Sequence, residues 1–377
     1  VLILILLILG ISSISLIQLI PTKAERAVAA NLNSLKNLDT DTIRQYMSDE
    51  TYASSGKNKE EITDLPDEAI DVFKEFAKYL NYKIISSTDS ETKAAVKVSI
   101  TTIDTEVLLK DYYKEVLTYN ISNTLSGGKT EDVTETDPTI LYYAFLLELM
   151  QNNTYDTTTQ TATILLTNEA GDWVINPTQE LENILMGNFA ENAAKPNPLT
   201  PAETVDCYFG VLKEMSTTDF LSYLGISNLF FMEMDSSSEI DLALAEQVLS
   251  CFDYTIVNMD IGATTAVVTV DLTTFSWEGI FSHYTDYLLA YSATSDAITD
   301  SAEKRSATLS QALLKIIQSN KDTIITTVSM PLSNSDGMWH MEYTSDLTGG
   351  LFGNLNEAPA AFDAILSAKI AEQNGDD

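Results

Sequence analysis

The sequence predicts an α+β protein with two tandem domains, helices packed on an antiparallel sheet in each, after an N-terminal transmembrane helix. Three observations predict it. Val1 to Ile20 carries no charged residue. The remainder is written twice, in one register over long stretches. Within each copy, stretches of helical spacing alternate with stretches of period two. The size agrees: 377 residues suit two domains of roughly 150 residues better than one. Hydrophobic residues make up 45% of the chain, enough for each copy to bury a core, so disorder throughout is excluded. With 55 acidic against 21 basic residues the net charge is -34, which argues against nucleic acid or anionic lipid headgroups as main partners.

The first element is VLILILLILGISSISLIQLI. As a helix, twenty such residues span about 30 Å, the thickness of a bilayer core. No face of the segment is polar, unlike a helix buried in a soluble core. No basic stretch precedes it, and no cysteine closes it as a lipid-modified one would. A retained anchor over residues 1–21 is the leading expectation, and a cleaved signal ending near Ala24 the rival. Both place the rest outside the cytoplasm, in the cell membrane or secreted.

The first copy is expected over residues 22–195 and the second over 202–356. A Pro-rich linker lies at 196–201 and an acidic tail, in part helical from Ala358 to Gln373, at 357–377. Ala24-Glu25 is answered by Ala202-Glu203, and Leu35-Lys36 by Leu212-Lys213. Ala94, Val96, Val98 and Ile100 are answered by Ala266, Val268, Val270 and Leu272, and Gly187-Asn188 by Gly353-Asn354. In order along the first copy, Val28, Leu32, Leu35 and Leu38 step along a helix face. Thr40 to Met47 predicts a second short helix, and residues 68–80 an amphipathic one. Tyr82–Ser87 and Ala94–Ile103 alternate apolar and polar, an antiparallel hairpin with one buried face. Residues 105–122 and 139–152 return to helical spacing. Thr161–Thr167 and Asp172–Asn176 form a second hairpin. The second copy repeats this order.

These residues carry a resemblance. The opening AExxV…LK helix, the strand of alternating valines and the closing Gly-x-Trp-x-Ile strand resemble the nuclear-transport-factor-2-like (cystatin-like) fold, a cone of helices on a curved sheet. The inserted helices TEVLLKDYYKEVLTYNIS and WEGIFSHYTDYLLAYSAT, with the tail around Gly187 and Gly349-Gly350, resemble uncharacterised cell-surface proteins of Gram-positive Clostridia. Such proteins carry domains of unknown function and often a lipid anchor, whose cysteine this chain lacks. A conjugation-channel protein with one membrane helix and tandem domains of this fold is similar in layout alone.

Residues able to do chemistry are few. His283 stands where the first copy has Asp111, and His340 follows Trp339; both read as exposed, and neither has metal-ligand spacing. Cys207 and Cys251 are a candidate disulfide or two buried free thiols, and Asp206 works against a nucleophilic Cys207. Glu131, Asp132, Glu135 and Asp137 read as a solvated loop, with weak calcium binding the alternative. No catalytic residue, cofactor or metal site is therefore expected. Tyr82, Trp173, Tyr254 and Trp339 recur between the copies as candidates for lining a cone cavity or closing a core. Tyr112, Tyr119, Tyr284 and Tyr291, on the inserted helices, are candidates for a partner surface. The expected function is non-catalytic binding or scaffolding at a cell surface, with other surface proteins as partners. A component of a secretion or conjugation apparatus, and a small-ligand receptor or enzyme using one cavity, are the alternatives.

Overall fold

A computed structural model of the chain describes residues 21–39, 41–42, 67–125, 138–196, 198–223, 237–334 and 337–374. The segment Val1–Ile20, most of the short helix expected at 40–47 and the acidic loop at 131–137 lie outside the described residues. No helix among the described residues is long and apolar enough to cross a membrane. The class is α+β, with two four-stranded antiparallel sheets. The chain divides into two compact units: residues 1–113 with 134–198, and residues 114–133 with 199–377.

Unit 1 opens with helix α1 (Lys23–Lys36). The Thr22 hydroxyl accepts from the Glu25 N–H at 3.1 Å, and the Glu25 carboxylate accepts from the Thr22 N–H at 2.8 Å. This reciprocal cap satisfies two otherwise orphaned donors and accounts for the recurring Ala-Glu pair. Ala24, Val28, Leu32 and Leu35 form the buried face. Leu38, which the spacing places on that face, lies beyond the helix end at φ 62°; the Asp39 N–H returns to the Ser34 carbonyl at 3.0 Å. The helix thus closes in a Schellman turn, with leucine where glycine is commoner.

Next come α2 (Asp67–Lys78), β1 (Asn81–Asp89), β2 (Lys93–Ile103), α3 (Thr105–Leu125), α4 (Pro138–Asn152), β3 (Thr157–Glu169), β4 (Asp172–Asn176), α5 (Gln179–Leu185) and α6 (Phe189–Ala193). The sheet order is β1-β2-β3-β4. Val96, Val98 and Ile100 of β2 are fully buried, and the residues between them face outward, as period two requires. β3 begins four residues before the expected Thr161, because Thr157 to Thr159 continue the pairing with Thr101 to Ile103. A run of threonines has no apolar alternation to announce it.

Unit 2 holds α7 (Pro201–Glu214), α8 (Thr217–Tyr223), α9 (Ser237–Cys251), β5 (Asp253–Ile261), β6 (Thr265–Phe275), α10 (Trp277–Ser292), α11 (Ser295–Thr299), α12 (Ala302–Ser319), β7 (Thr323–Asn334), β8 (Trp339–Met341), α13 (Ser345–Leu351) and α14 (Ala358–Asn374). Its sheet order is β5-β6-β7-β8. The first hairpins of the two sheets share even their irregularity: one bulge falls between Ile84 and Ser86, the other between Ile256 and Asn258. An extra residue at the same place in both edge strands is a built feature of the repeat.

The boundaries differ from the expected ones in three places. The expected linker is shorter, because Thr200 caps α7 and Pro201 is its first helical residue. The second half of α3 belongs to unit 2, where Ile121 is buried with Val211 of α7. The helix expected from Ala358 to Gln373 is present as α14, but it belongs to unit 2, where it packs on α10; the Phe362 ring lies 5.2 Å from that of Phe281.

Candidate functional site

The four recurring aromatics stand in two cores, one in each unit. Tyr82 and Trp173 pack on the core that holds Val28, Leu32 and Val98. Tyr254 and Trp339 pack on the core that holds Phe209, Val270 and Leu313. The Tyr82 hydroxyl donates to the Ala29 carbonyl at 3.2 Å and lies 3.0 Å from Asn33 Oδ1. The Tyr254 hydroxyl donates to Asp206 Oδ1 at 2.8 Å, and burial, then that carboxylate, pushes its pKa up. Each tyrosine therefore ties an edge strand to the opening helix of its own unit.

The four tyrosines of the inserted helices are divided between the units. Tyr112 sits in unit 1 against Phe189, ring centroids 6.5 Å apart, whereas Tyr119 lies in the half of α3 that belongs to unit 2. Tyr291 stacks on Tyr287 at 6.3 Å. Tyr284 is only 3% exposed, with Phe362 of α14 6.3 Å from its ring, so a partner surface built on these residues loses it. The covering helix comes from beyond the repeat, where comparing the copies could not reveal it.

Burial pushes the hydroxyl of Tyr112 up to about 12, reinforced by the neighbouring Tyr142, Tyr113 and Tyr143. Burial, then Tyr287, does the same to Tyr284, also to about 12. In the unfolded chain these groups lose their protons near pH 10. The folded state, which keeps them, is therefore fully stabilised below about pH 10 and loses that advantage between about 10 and 12. The urea midpoint is expected to fall over that window, and less steeply in Tyr284→Phe. A midpoint at about pH 11.5 equal to that at pH 9 would contradict these environments.

His283 and His340 are exposed, as the sequence predicts. Asp111, the counterpart of His283, accepts from the Tyr155 hydroxyl at 3.3 Å. Cys207 and Cys251 are not joined in a disulfide and are half-buried, and the Cys251 thiol donates to the Gln247 carbonyl at 3.0 Å. Burial raises both thiols, so neither is an activated nucleophile.

Cys207 also marks a feature that sequence reasoning missed. Lys114 and Thr118 of α3 face Glu203, Asp206, Cys207, Gly210, Val211 and Glu214 of α7 across an open cleft of about 310 Å³. Lys114 pairs with Glu203 at 3.3 Å, and Glu203 also closes the reciprocal cap of α7 with Thr200. The cleft is acidic around one lysine, a lining suited to a small cationic group. Among the described residues no group of three or more His, Cys, Asp or Glu could hold a metal ion. The two helices are far apart in sequence, and no motif announces that they meet. Compared with models of protein families, with curated proteins and with solved structures, the chain has no match.

Proposed function

We propose that the chain is a membrane-anchored, extracytoplasmic binding or scaffolding protein built of two tandem nuclear-transport-factor-2-like domains, and that it does no catalysis. The observation that carries this reading is what recurs between the units. Thr102 and Thr274 each donate from a buried hydroxyl to a carbonyl of the following tail helix, Ile184 at 3.1 Å and Gly350 at 3.2 Å. Thr105 and Trp277, at equivalent positions, each anchor the end of that helix: Thr105 to the Gly187 carbonyl at 2.8 Å, Trp277 to that of Phe352 at 2.8 Å. The helix caps, the bulges and the core aromatics recur in the same way. Repetition has thus kept a frame, and the cysteines, which could have been nucleophiles, occur in one copy with their thiols raised.

The anchor is supported by the charge-free segment Val1–Ile20, and either reading of that segment, a retained anchor or a cleaved signal, carries the following residues across the membrane. Fractionation of the host, with external protease and crosslinking, tests the reading. The expected result is recovery with the membrane, cleavage from outside, and crosslinks to a fixed set of neighbours. Release as a free monomer without neighbours would overturn it. That outcome would favour a receptor for a small cationic ligand, the reading that the cleft at Lys114 and Glu203 supports.

A further inference from the structure

We propose that the outward face of the first sheet docks on the outward face of the second sheet of another copy of this chain, joining copies head to tail. Strand register fixes which side chains share each face. In the first sheet the outward rows include Lys83–Ser99–Thr161, Ser86–Lys97–Thr163 and Lys93–Thr167–Val174. In the second the rows include Thr255–Asp271–Thr327, Asn258–Thr269–Ser329 and Asp260–Val267–Pro331. The first face therefore carries Lys83, Lys93 and Lys97, with the carboxylates Glu169 and Asp172 only at its hairpin end, and the second carries Asp253, Asp260 and Asp271. The strands of the second sheet contain no lysine or arginine. In a chain with 55 acidic and only 21 basic residues, a face whose central rows hold lysines runs against composition.

Lys83, Lys93, Lys97 and Asp260 are exposed, and Asp271 is half-buried, with one oxygen accepting from the Thr327 hydroxyl at 2.6 Å. Asp253, also on the second sheet, is already held by Lys213 at 2.8 Å, so its charge is compensated within the chain. The spacings match. Lys93 and Lys97 are four residues apart along β2, about 14 Å at ~3.4 Å per residue. Asp260 and Asp271 stand two rows apart on adjoining strands, again about 14 Å. Short threonine and serine side chains fill most positions between the charges, so the two faces can approach. Each face adds exposed apolar side chains, Leu165 and Val174 on one, Val267 and Ile325 on the other.

The occupant is a second copy because the complementary face belongs to this same sequence. The whole-chain charge of -34 opposes association at long range. Salt at about 0.15 M shortens that repulsion to roughly 8 Å and leaves contact pairs largely intact. Association is therefore expected to be strongest at intermediate salt. A patch about 30 Å by 15 Å is below the usual interface size, so the contact is weak. Because the two faces differ, a single such contact leaves one face free on each copy, so further copies can add to it until the assembly closes. None of this depends on where the protein resides.

The test is sedimentation velocity of the full chain in a non-ionic detergent, over a range of concentration and salt. The wild type is expected to give species larger than the monomer at about 0.15 M salt and to lose them at about 1 M. K93E/K97E alone and D260K/D271K alone are each expected to lose association by at least about tenfold, and their mixture to regain it. Circular dichroism checks that each variant is folded. If either is not, K93S/K97S and D260N/D271N provide the same comparison of single variants. A wild type that stays monomeric at all salts overturns the proposal. So does association that persists in K93E/K97E, which would place the contact elsewhere, or charge-reversed folded variants whose mixture regains nothing.

Discussion

Replacing Phe209 by alanine is expected to cost unit 2 about 3–5 kcal/mol and to leave unit 1 unchanged. Phe209 is fully buried on the core face of α7. Its ring lies 5.5 Å from Phe252 and 4.7 Å from Tyr254, so truncation removes two aromatic contacts as well as apolar area. The spacing Val205, Phe209, Leu212 repeats Val28, Leu32, Leu35, which puts Leu32 in the same place in unit 1. Phe209→Leu therefore imports the side chain that the other unit already uses, and its cost is expected to be nearer 1 kcal/mol. A domain stability of roughly 5–15 kcal/mol leaves little margin for the alanine variant. Hydrogen exchange read separately on β2 and β6 distinguishes the units, which one melting curve would blend. Loss of protection at Val268 and Val270, with Val96 and Val98 unaffected, is the expected pattern. Equal loss in both sheets would mean that the units do not open separately.

That packing was partly legible in the sequence, and the reason is periodicity. A strand with one buried face must alternate, so Ala94 to Ile100 and Ala266 to Leu272 announce both the strand and its inner side. The opening helices were legible in a subtler way. Ala24-Glu25 and Ala202-Glu203 align at one offset, while Leu35-Lys36 and Leu212-Lys213 align at an offset one residue smaller. The first match reports the cap and the second the buried face. One residue fewer separates cap from face in α7, and both signals survive because each answers a different local demand. Leu38 misled because an apolar period says nothing about where the chain turns away. The cleft between α3 and α7, and the cover that α14 places over Tyr284, depend on contacts between elements distant in sequence. Lys83 and Lys97 were on view as outward residues of strands, but which charges share a row is fixed only by register.

Gly187→Ala and Gly353→Ala are expected to destabilise units 1 and 2 respectively, each by on the order of 3 kcal/mol. Both glycines follow a short tail helix, at φ 59° and 63°. An L residue there costs about 1–2 kcal/mol by its own backbone sterics. The surroundings add more. A Cβ at Gly187 would stand 2.3 Å from the Ile103 carbonyl oxygen, and one at Gly353 stands as close to that of Phe275. Those oxygens belong to the ends of β2 and β6, so relief requires moving backbone next to the sheet rather than turning a side chain. The adjoining Asn188 and Asn354 also have left-handed backbones, at φ 58° and 62°, but asparagine tolerates that region. Asn188→Gly is therefore expected to change stability by less than about 1 kcal/mol, in contrast to its neighbour. Exchange in β2 for Gly187→Ala and in β6 for Gly353→Ala reads the two effects. Protection in β2 that survives Gly187→Ala unchanged would mean that the tail can leave the strand end without loosening the sheet. The contacts of Thr102 and Thr105 with that same tail make the opposite outcome the expected one, because a tail forced outward takes two buried hydroxyl bonds with it.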